Sequence, residues 1–465
     1  MPRRTKIVCT LGPSASSREE LVTLFEAGMD VARLNFSHGT REGHGRVADR
    51  VRALSEELGR PVAVLGDLEG PRIRVGVMEE GTALAPGTSV TLTPDEVKGT
   101  AERIPISHPG LARDVKEGDA ILLADGSLEL RVEGRDGDDL RCTVLVGGPL
   151  PSHKGVNVPL RTLSLPSLTE KDREDLTYAV AHDFDLVAQS FVQGPKDIET
   201  ARRLAGEAGR ALPVIAKLES QGSIDRLEAI LGAADGAMVA RGDLGVEIPL
   251  ERVPRIQKRI IQHGRRLAKP VITATQMLQS MVESLRPTRA EATDVYNAIL
   301  DGTDAVMLSE ETAIGRHPVE AVRTLGAIAR EADRMVTSGT LEGVEAADQV
   351  AGAVAGATVT MARSLEAAAI VAPTSSGRTP RFIARQRPAQ PILALSSDHH
   401  VLRTLCLTWG VVPLPFPGPM SVDAVIEKAR ALASEEGIQG ESLIVAMGYP
   451  PRKGLTNMVL VPEGG

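Results

Sequence analysis

At 465 residues the chain exceeds what a single hydrophobic core usually holds, so two or three domains are expected. Its net charge of −8 and pI near 5.7 argue against a nucleic acid or an anionic membrane surface as the main partner, and no apolar run reaches the length of a membrane span. Cys9, Cys142 and Cys406 lie far apart without metal-ligand spacing and read as reduced, buried thiols; the opening MPRRTK passes directly into a strand, so the expected location is cytoplasmic.

In chain order, short apolar runs cover residues 6–11, 31–36, 62–65, 186–191, 213–218, 237–240, 270–274 and 304–308. With residues 70–166 set aside, their starts fall roughly thirty residues apart, the repeat of a βα unit. Segments 167–182 and 197–208 carry apolar residues at helical spacing between charged ones. The expected α/β architecture is a (β/α)8 TIM barrel over residues 1–69 and 166–336, with catalytic groups at the C-terminal ends of its strands. Those ends offer Arg33 with Asn35 and Ser37, then Asp67, Ser190, Lys217 with Glu219, Asp243, Thr275, and Ser309 with Glu311.

Across residues 70–165 the helical periodicity gives way to short β-rich runs separated by Gly, Asp and Pro turns, which predicts a small β-barrel inserted after barrel strand three. An insertion on the catalytic face is placed to act as a lid. From residue 337 a Gly/Ala/Glu-rich link leads to apolar runs at 369–372, 391–395, 411–415, 442–447 and 458–461. Residues 337–465 are therefore expected to form a C-terminal α/β domain with a mostly parallel sheet.

The chemistry concentrates where two runs end in charge, IAKLE over residues 215–219 and MVARGD over 238–243. Side chains alternate along a strand, so Lys217 and Glu219 share a face. Charged strand ends are also what a solvated sheet edge carries. Two carboxylates with an ammonium between them, however, suit a hard divalent cation holding a phosphorylated or enolate-forming substrate.

In the order KIVCTLGP, GMDVARLNFSHG, HKGVNVP, LPSLTEKD, IAKLESQG, MVARGDLGVEIP, PVITATQML and RPTRAEATDV, eight strings between residues 6 and 295 resemble the pyruvate kinase family. The resemblance implies phosphoryl transfer from phosphoenolpyruvate to ADP, giving pyruvate and ATP. It casts Lys217 and Arg33 as the positive charge facing the moving phosphoryl group, and Glu219 and Asp243 as ligands of Mg²⁺ or Mn²⁺, with a second Mg²⁺ arriving on the nucleotide. The substrate carboxylate would meet backbone N–H groups of Gly242 and Asp243, with LGVEIP beginning a helical turn after them. Thr275 would take part in a proton relay to the enolate carbon. By the same resemblance Arg33, Asn35, His38, Arg74 and Lys154 approach the ADP phosphates and ribose, with Pro13 near the base. Lys154 belongs to the inserted domain and reaches the phosphates only when that lid closes, which excludes water from the phosphoryl donor.

The segment GDLEGPRIRVG departs from the family pattern. Members that require K⁺ carry a Thr and a Glu where this chain has Leu68 and Arg72, and a further threonine is Val75 here. The positions matching the potassium ligands, Asn35, Ser37 and Asp67, are kept. The expectation is that the Arg72 guanidinium, permanently charged, stands in for K⁺. Glu310, where the pattern usually has Gly, has no mechanistic account. In the C-terminal domain Thr374, Ser375, Ser376, Gly377, Arg378 and Thr379 form a turn opening a helix, a phosphate-cradling shape that matches the family's loop for a phosphorylated effector; residues 450–454, PPRKG, would add positive charge over it. An N-capped helix with a basic first turn explains the same residues. Family likeness further implies a homotetramer. Two rival readings are another phosphoenolpyruvate-using barrel enzyme, which needs no nucleotide-facing Lys154, and a non-catalytic metabolite sensor, which would have lost some of Lys217, Glu219, Asp243 and Thr275.

Overall fold

Eight parallel strands, Lys6–Thr10, Val31–Asn35, Ala63–Asp67, Leu186–Gln189, Val214–Leu218, Gly236–Ala240, Val271–Ala274 and Ala305–Leu308, close into a barrel in the computed structural model. Its described residues are 3–124, 126–159, 164, 166–337, 349–418, 421–435, 442–449 and 455–462. Each strand pairs with its neighbours in chain order, and the first closes on the last with Lys6 opposite Ala305. Helices cover the outside while side chains fill the inside, so the strands are buried on both faces and read as continuous apolar runs rather than alternating ones. Inside, small Ala63, Ala188, Ala274 and Ala305 pack among Leu65, Ile215, Met238 and Met307. The outer helices start where the sequence supplies caps: Ser17 with Glu20, Thr169 with Asp172 and Thr288 with Glu291 each form a capping box.

Between Asp67 and Leu186 the chain leaves the barrel to build a seven-stranded sheet ordered Ile73–Arg74, Gly155–Asn157, Ala120–Leu123, Leu128–Asp136, Asp139–Val146, Ser89–Thr93 and Arg103–Pro105. An isolated bridge between Val75 and Ile106 joins its two edges, which makes it a small barrel with its own core around Val75, Leu92, Ile121 and Leu130.

The C-terminal sheet is ordered Val411–Pro415, Ile392–Ser396, Ala369–Pro373, Leu443–Met447 and Met458–Leu460, all parallel except the last strand. It docks under the large barrel. Arg403 pairs with Asp185 at 2.6 Å, Arg387 with Asp304 at 3.0 Å, and Lys6 Nζ donates to the Val411 carbonyl at 2.7 Å, all at N-terminal strand ends. Leu407 and Cys406 extend the barrel's inner cluster at that end. The C-terminal faces of the eight strands are thereby left to the inserted sheet. Cys9, Cys142 and Cys406 are free and buried, as the sequence leads one to expect. Among the described residues, no helix is long and apolar enough to cross a membrane.

Candidate active site

Strand Val214–Leu218 delivers Lys217 to the C-terminal mouth of the barrel, and Glu219 follows one residue past its end. Both are buried, with Lys217 Nζ 2.9 Å from Glu219 Oε1 and 3.3 Å from Asp67 Oδ1. Lys217 also donates to Ser190 Oγ, which in turn donates to the Leu68 carbonyl at 2.7 Å. Arg33 reaches the same carboxylate from the second strand: its Nε lies 2.6 Å from Asp67 Oδ2, and its Nη1 donates to Thr10 Oγ1 at 2.8 Å. Asp67 thus sits between two cations.

The charges are tuned by this arrangement. Burial pushes the Asp67 carboxyl up, but Lys217 and Arg33 outweigh it and hold the group below the usual carboxylate range. Burial disfavours the Lys217 ammonium, yet Asp67, Glu219 and Asp243 together raise its pKa above the ordinary lysine value. Glu219 is raised too: burial lifts it, Lys217 opposes, and the charge of Asp243 lifts it further. Phe191 N–H donates to Glu219 Oε2 at 2.7 Å. Asp67 Oδ1 and Glu219 Oε1 are fully buried and receive no aligned hydrogen-bond donor.

Asp243 stands in the first turn of helix Arg241–Glu247, which begins earlier than expected, ahead of the LGVEIP segment. Its two carboxylate oxygens each lie 3.5 Å from Arg72 Nη2, and the negative charges of Asp243, Glu219, Asp67 and Glu69 overcome burial to raise the Arg72 pKa. Two hard carboxylates, Glu219 buried and its charged form disfavoured by burial and by the charge of Asp243, fit an Mg²⁺-type ion that would offset both. Among the described residues no cluster of three or more His, Cys, Asp or Glu side chains forms a metal cage, so the remaining coordination would fall to substrate and water.

Thr275 follows strand Val271–Ala274 with φ +72°, and Gln276 has φ +55°. A β-branched residue in the left-handed region is a strained exception, and it persists only where its surroundings fix it. Arg241 does so: its Nη2 donates to the Thr275 carbonyl at 2.7 Å and its Nη1 pairs with Asp294 Oδ2 at 2.7 Å. Gly242 leaves the room, since a Cβ there would lie 3.0 Å from Thr275 Cγ2.

The structure therefore brings Arg33, Asp67, Lys217 and Glu219 into direct contact, adds Asp243 through Arg72, and seats Thr275 on Gly242. Asn35 Oδ1 accepts from the Ser37 N–H at 3.2 Å. Pro13, His38 and Lys154 are exposed, and Arg74 pairs with Glu69 at 2.9 Å. The loop at residues 374–379 lies in the domain docked under the barrel, away from this cluster. Thr374 Oγ1 there accepts from the N–H groups of Ser376 and Gly377, Gly377 is the N-cap of helix Arg378–Ala384, and Thr379 Oγ1 is hydrogen-bonded to Thr456 Oγ1. Residues 450–454, expected to add charge over the loop, lie outside the described residues. Glu310 accepts from Gln279 Nε2 at 2.6 Å.

Sequence reasoning missed Thr10, Arg241, Asn157 and Glu247. Glu247 is buried in the same mouth, its Oε1 accepting from Asn157 Nδ2 at 3.0 Å. Its spacing of four from Asp243 on one helix was the available signal.

Residues 2–322 match the family model described as pyruvate kinase, barrel domain, and residues 352–462 match that of the pyruvate kinase alpha/beta domain. A pyruvate kinase from Mycobacterium intracellulare is 46% identical, the alignment covering 100% of this chain and 99% of the relative. One from Geobacillus stearothermophilus is 45% identical over 99% of this chain and 80% of the relative. The crystal structure of a pyruvate kinase from Cryptosporidium parvum superposes with a TM-score of 0.93 at 35% identity, covering 100% of this chain and 96% of that one.

Proposed function

Since the chain belongs to the pyruvate kinase family and is a phosphotransferase, we propose that the mouth of its barrel passes the phosphoryl group of phosphoenolpyruvate to ADP, with Lys217, Arg33, Glu219, Asp243 and Thr275 as its working side chains. The observation that carries this reading is the buried Lys217 ammonium held between Asp67 and Glu219, a fixed positive charge flanked by two buried carboxylates. Phosphoryl transfer demands mainly positioned charge, because the transition state spreads negative charge over the phosphoryl oxygens.

In this reading Lys217 and Arg33 face those oxygens, the latter oriented by Asp67 and Thr10. Glu219 and Asp243 would hold the divalent ion, which when bound neutralises charge on phosphoryl and enolate oxygens. The N–H groups of Gly242 and Asp243, in a first helical turn and so without helical acceptors, take the substrate carboxylate. Thr275, clamped by Arg241, orients its hydroxyl toward the enolate side of the cleft as one member of a proton relay. Asn35, His38, Arg74, Lys154 and Pro13 complete the nucleotide side.

Independence from K⁺ belongs to the same proposal. It is supported by the Arg72 guanidinium 3.5 Å from Asp243, by the Asp67 carboxylate already lying against two cations, and by Asn35 Oδ1 accepting from the Ser37 backbone N–H. Control by a phosphorylated metabolite at residues 374–379 rests on family likeness and on the Ser/Thr/Gly turn that Thr374 Oγ1 closes ahead of the helix. A cytoplasmic homotetramer completes the proposal by family likeness.

The test is a coupled assay of pyruvate formation from phosphoenolpyruvate and ADP, run with Mg²⁺ or Mn²⁺, with and without K⁺, and with sugar phosphates and AMP. Pyruvate formation that depends on ADP and the divalent ion is expected. Phosphoenolpyruvate consumption that ignores ADP sinks the reading.

A further inference from the structure

The inserted sheet touches the barrel face through a matched pair of contacts on helix Arg241–Glu247. In the inserted sheet, strands Ile73–Arg74 and Gly155–Asn157 run antiparallel with Gly155 opposite Arg74 and Val156 opposite Ile73. Arg72 directly precedes Ile73 and Asn157 directly follows Val156, so both stand at the same end of that ladder. On the helix, Asp243 and Glu247 are four residues apart and share a face. Two side chains from one end of the inserted sheet can therefore meet the two helix positions side by side. They do: Arg72 Nη2 lies 3.5 Å from Asp243, and Asn157 Nδ2 donates to Glu247 Oε1 at 3.0 Å.

The two contacts differ in kind. The Arg72 pair is long and both partners are part-exposed, and its carboxylate is the one that would bind the divalent ion. The Asn157 bond is of normal length to a buried carboxyl that has no other assigned task. Asn157 also stands three residues after Lys154, on the strand that Lys154 leads into.

We propose that Glu247 is a positioning residue of the phosphotransferase, the docking point through which Asn157 holds the inserted sheet, and with it Lys154, over the nucleotide side of the cleft. The inference rests on the reading of Lys154 as a phosphate-facing lysine. When the divalent ion and substrate engage Asp243, the Arg72 contact has a competitor and the Asn157 bond remains.

The decisive experiment is a charge-and-donor swap in the full-length enzyme at pH 8. N157D sets two carboxyl groups against each other and removes the donor. N157D/E247Q restores a donor and an acceptor with their positions exchanged. For N157D the KM for ADP should rise about tenfold, the scale of one lost charge-assisted hydrogen bond, with the KM for phosphoenolpyruvate within about twofold of wild type. The double variant should recover most of the ADP affinity. Exchange of pyruvate methyl protons, for which the proposed working side chains all lie in the barrel, should persist in both and reports that the barrel is folded. A double variant as impaired as N157D, or equal loss for both substrates, overturns the docking role. K154M measured alongside separates the two layers: an unchanged KM for ADP in K154M overturns the reading of Lys154 and the inference with it, whereas a raised KM in K154M with none in N157D overturns the docking point alone.

Discussion

Lys217 Nζ lies 2.9 Å from Glu219 Oε1, two residues along the same strand end, and both groups are buried. The pair is matched by Asp67, so one ammonium serves two carboxylates. Lys217→Met leaves Glu219 uncompensated and Asp67 with Arg33 alone. Phosphoryl transfer should fall on the order of 10³-fold, the scale of losing one fixed electrostatic group, while pyruvate proton exchange survives in part. Stability should drop by about 3 kcal/mol or more, because a buried carboxylate without its partner is costly. Near wild-type transfer in a steady-state assay would refute the assignment.

Arg72 faces Asp243 with a charge that no physiological pH removes. Activity in buffer free of Na⁺ and K⁺ should therefore stay within about twofold of that in K⁺, a gap well under 1 kcal/mol. R72E should lose at least about tenfold, and K⁺ should restore much of the loss. Large K⁺ activation of the unmodified enzyme ends the idea.

Thr275 holds its strained φ of +72° through the Arg241 clamp and the space over Gly242. Thr275→Val preserves the shape and removes the hydroxyl, so it should slow pyruvate proton exchange by about 10²-fold, the range of one proton-transfer group. Phosphoryl transfer should suffer less. Thr275→Ser should keep both reactions, and equal losses in Val and Ser variants would assign the residue to shape alone.

Glu247 is raised from 4.5 to about 7, first by burial and then by the charges of Asp243 and Glu219, with the Asn157 bond opposing. The folded state thus binds a proton that the unfolded state releases between those values. Stability falls as pH rises from about 4.5 to about 7 and is level above, a loss of about 3 kcal/mol at full size. Glu247→Gln, neutral throughout, should match the wild type near pH 4.5 and exceed its melting temperature near pH 7.5 in metal-free buffer. A melting difference that does not change with pH refutes the raised value.

Much of the site is legible in the chain because strands deliver it. Lys217 and Glu219 lie two apart on one strand end, and alternation alone puts them on one face. Asp67 ends, and Thr275 directly follows, strands whose apolar runs announce the barrel by their spacing, and Arg33 lies within one, two residues before its end. Their contacts are another matter. Nothing local links Arg33 to Asp67, or Asp67 to Lys217; the parallel register that sets Asn35 opposite Asp67 brings the first pair together, and strand Leu186–Gln189, paired with both of their strands in the curved barrel wall, the second.

Periodicity within a few neighbouring residues is enough to specify the eight-strand repeat, the inserted sheet, the parallel C-terminal sheet and the polar strand ends, so all four can be read along the chain. Which charges neutralise which is settled only in three dimensions. Asn157 and Glu247, 90 residues apart, meet only because the inserted sheet packs on helix Arg241–Glu247 at the barrel mouth. Ion pairing and burial act through space and not along the chain, so Lys217 and Glu219 acquire their shifted proton affinities only once the barrel closes and excludes water around them.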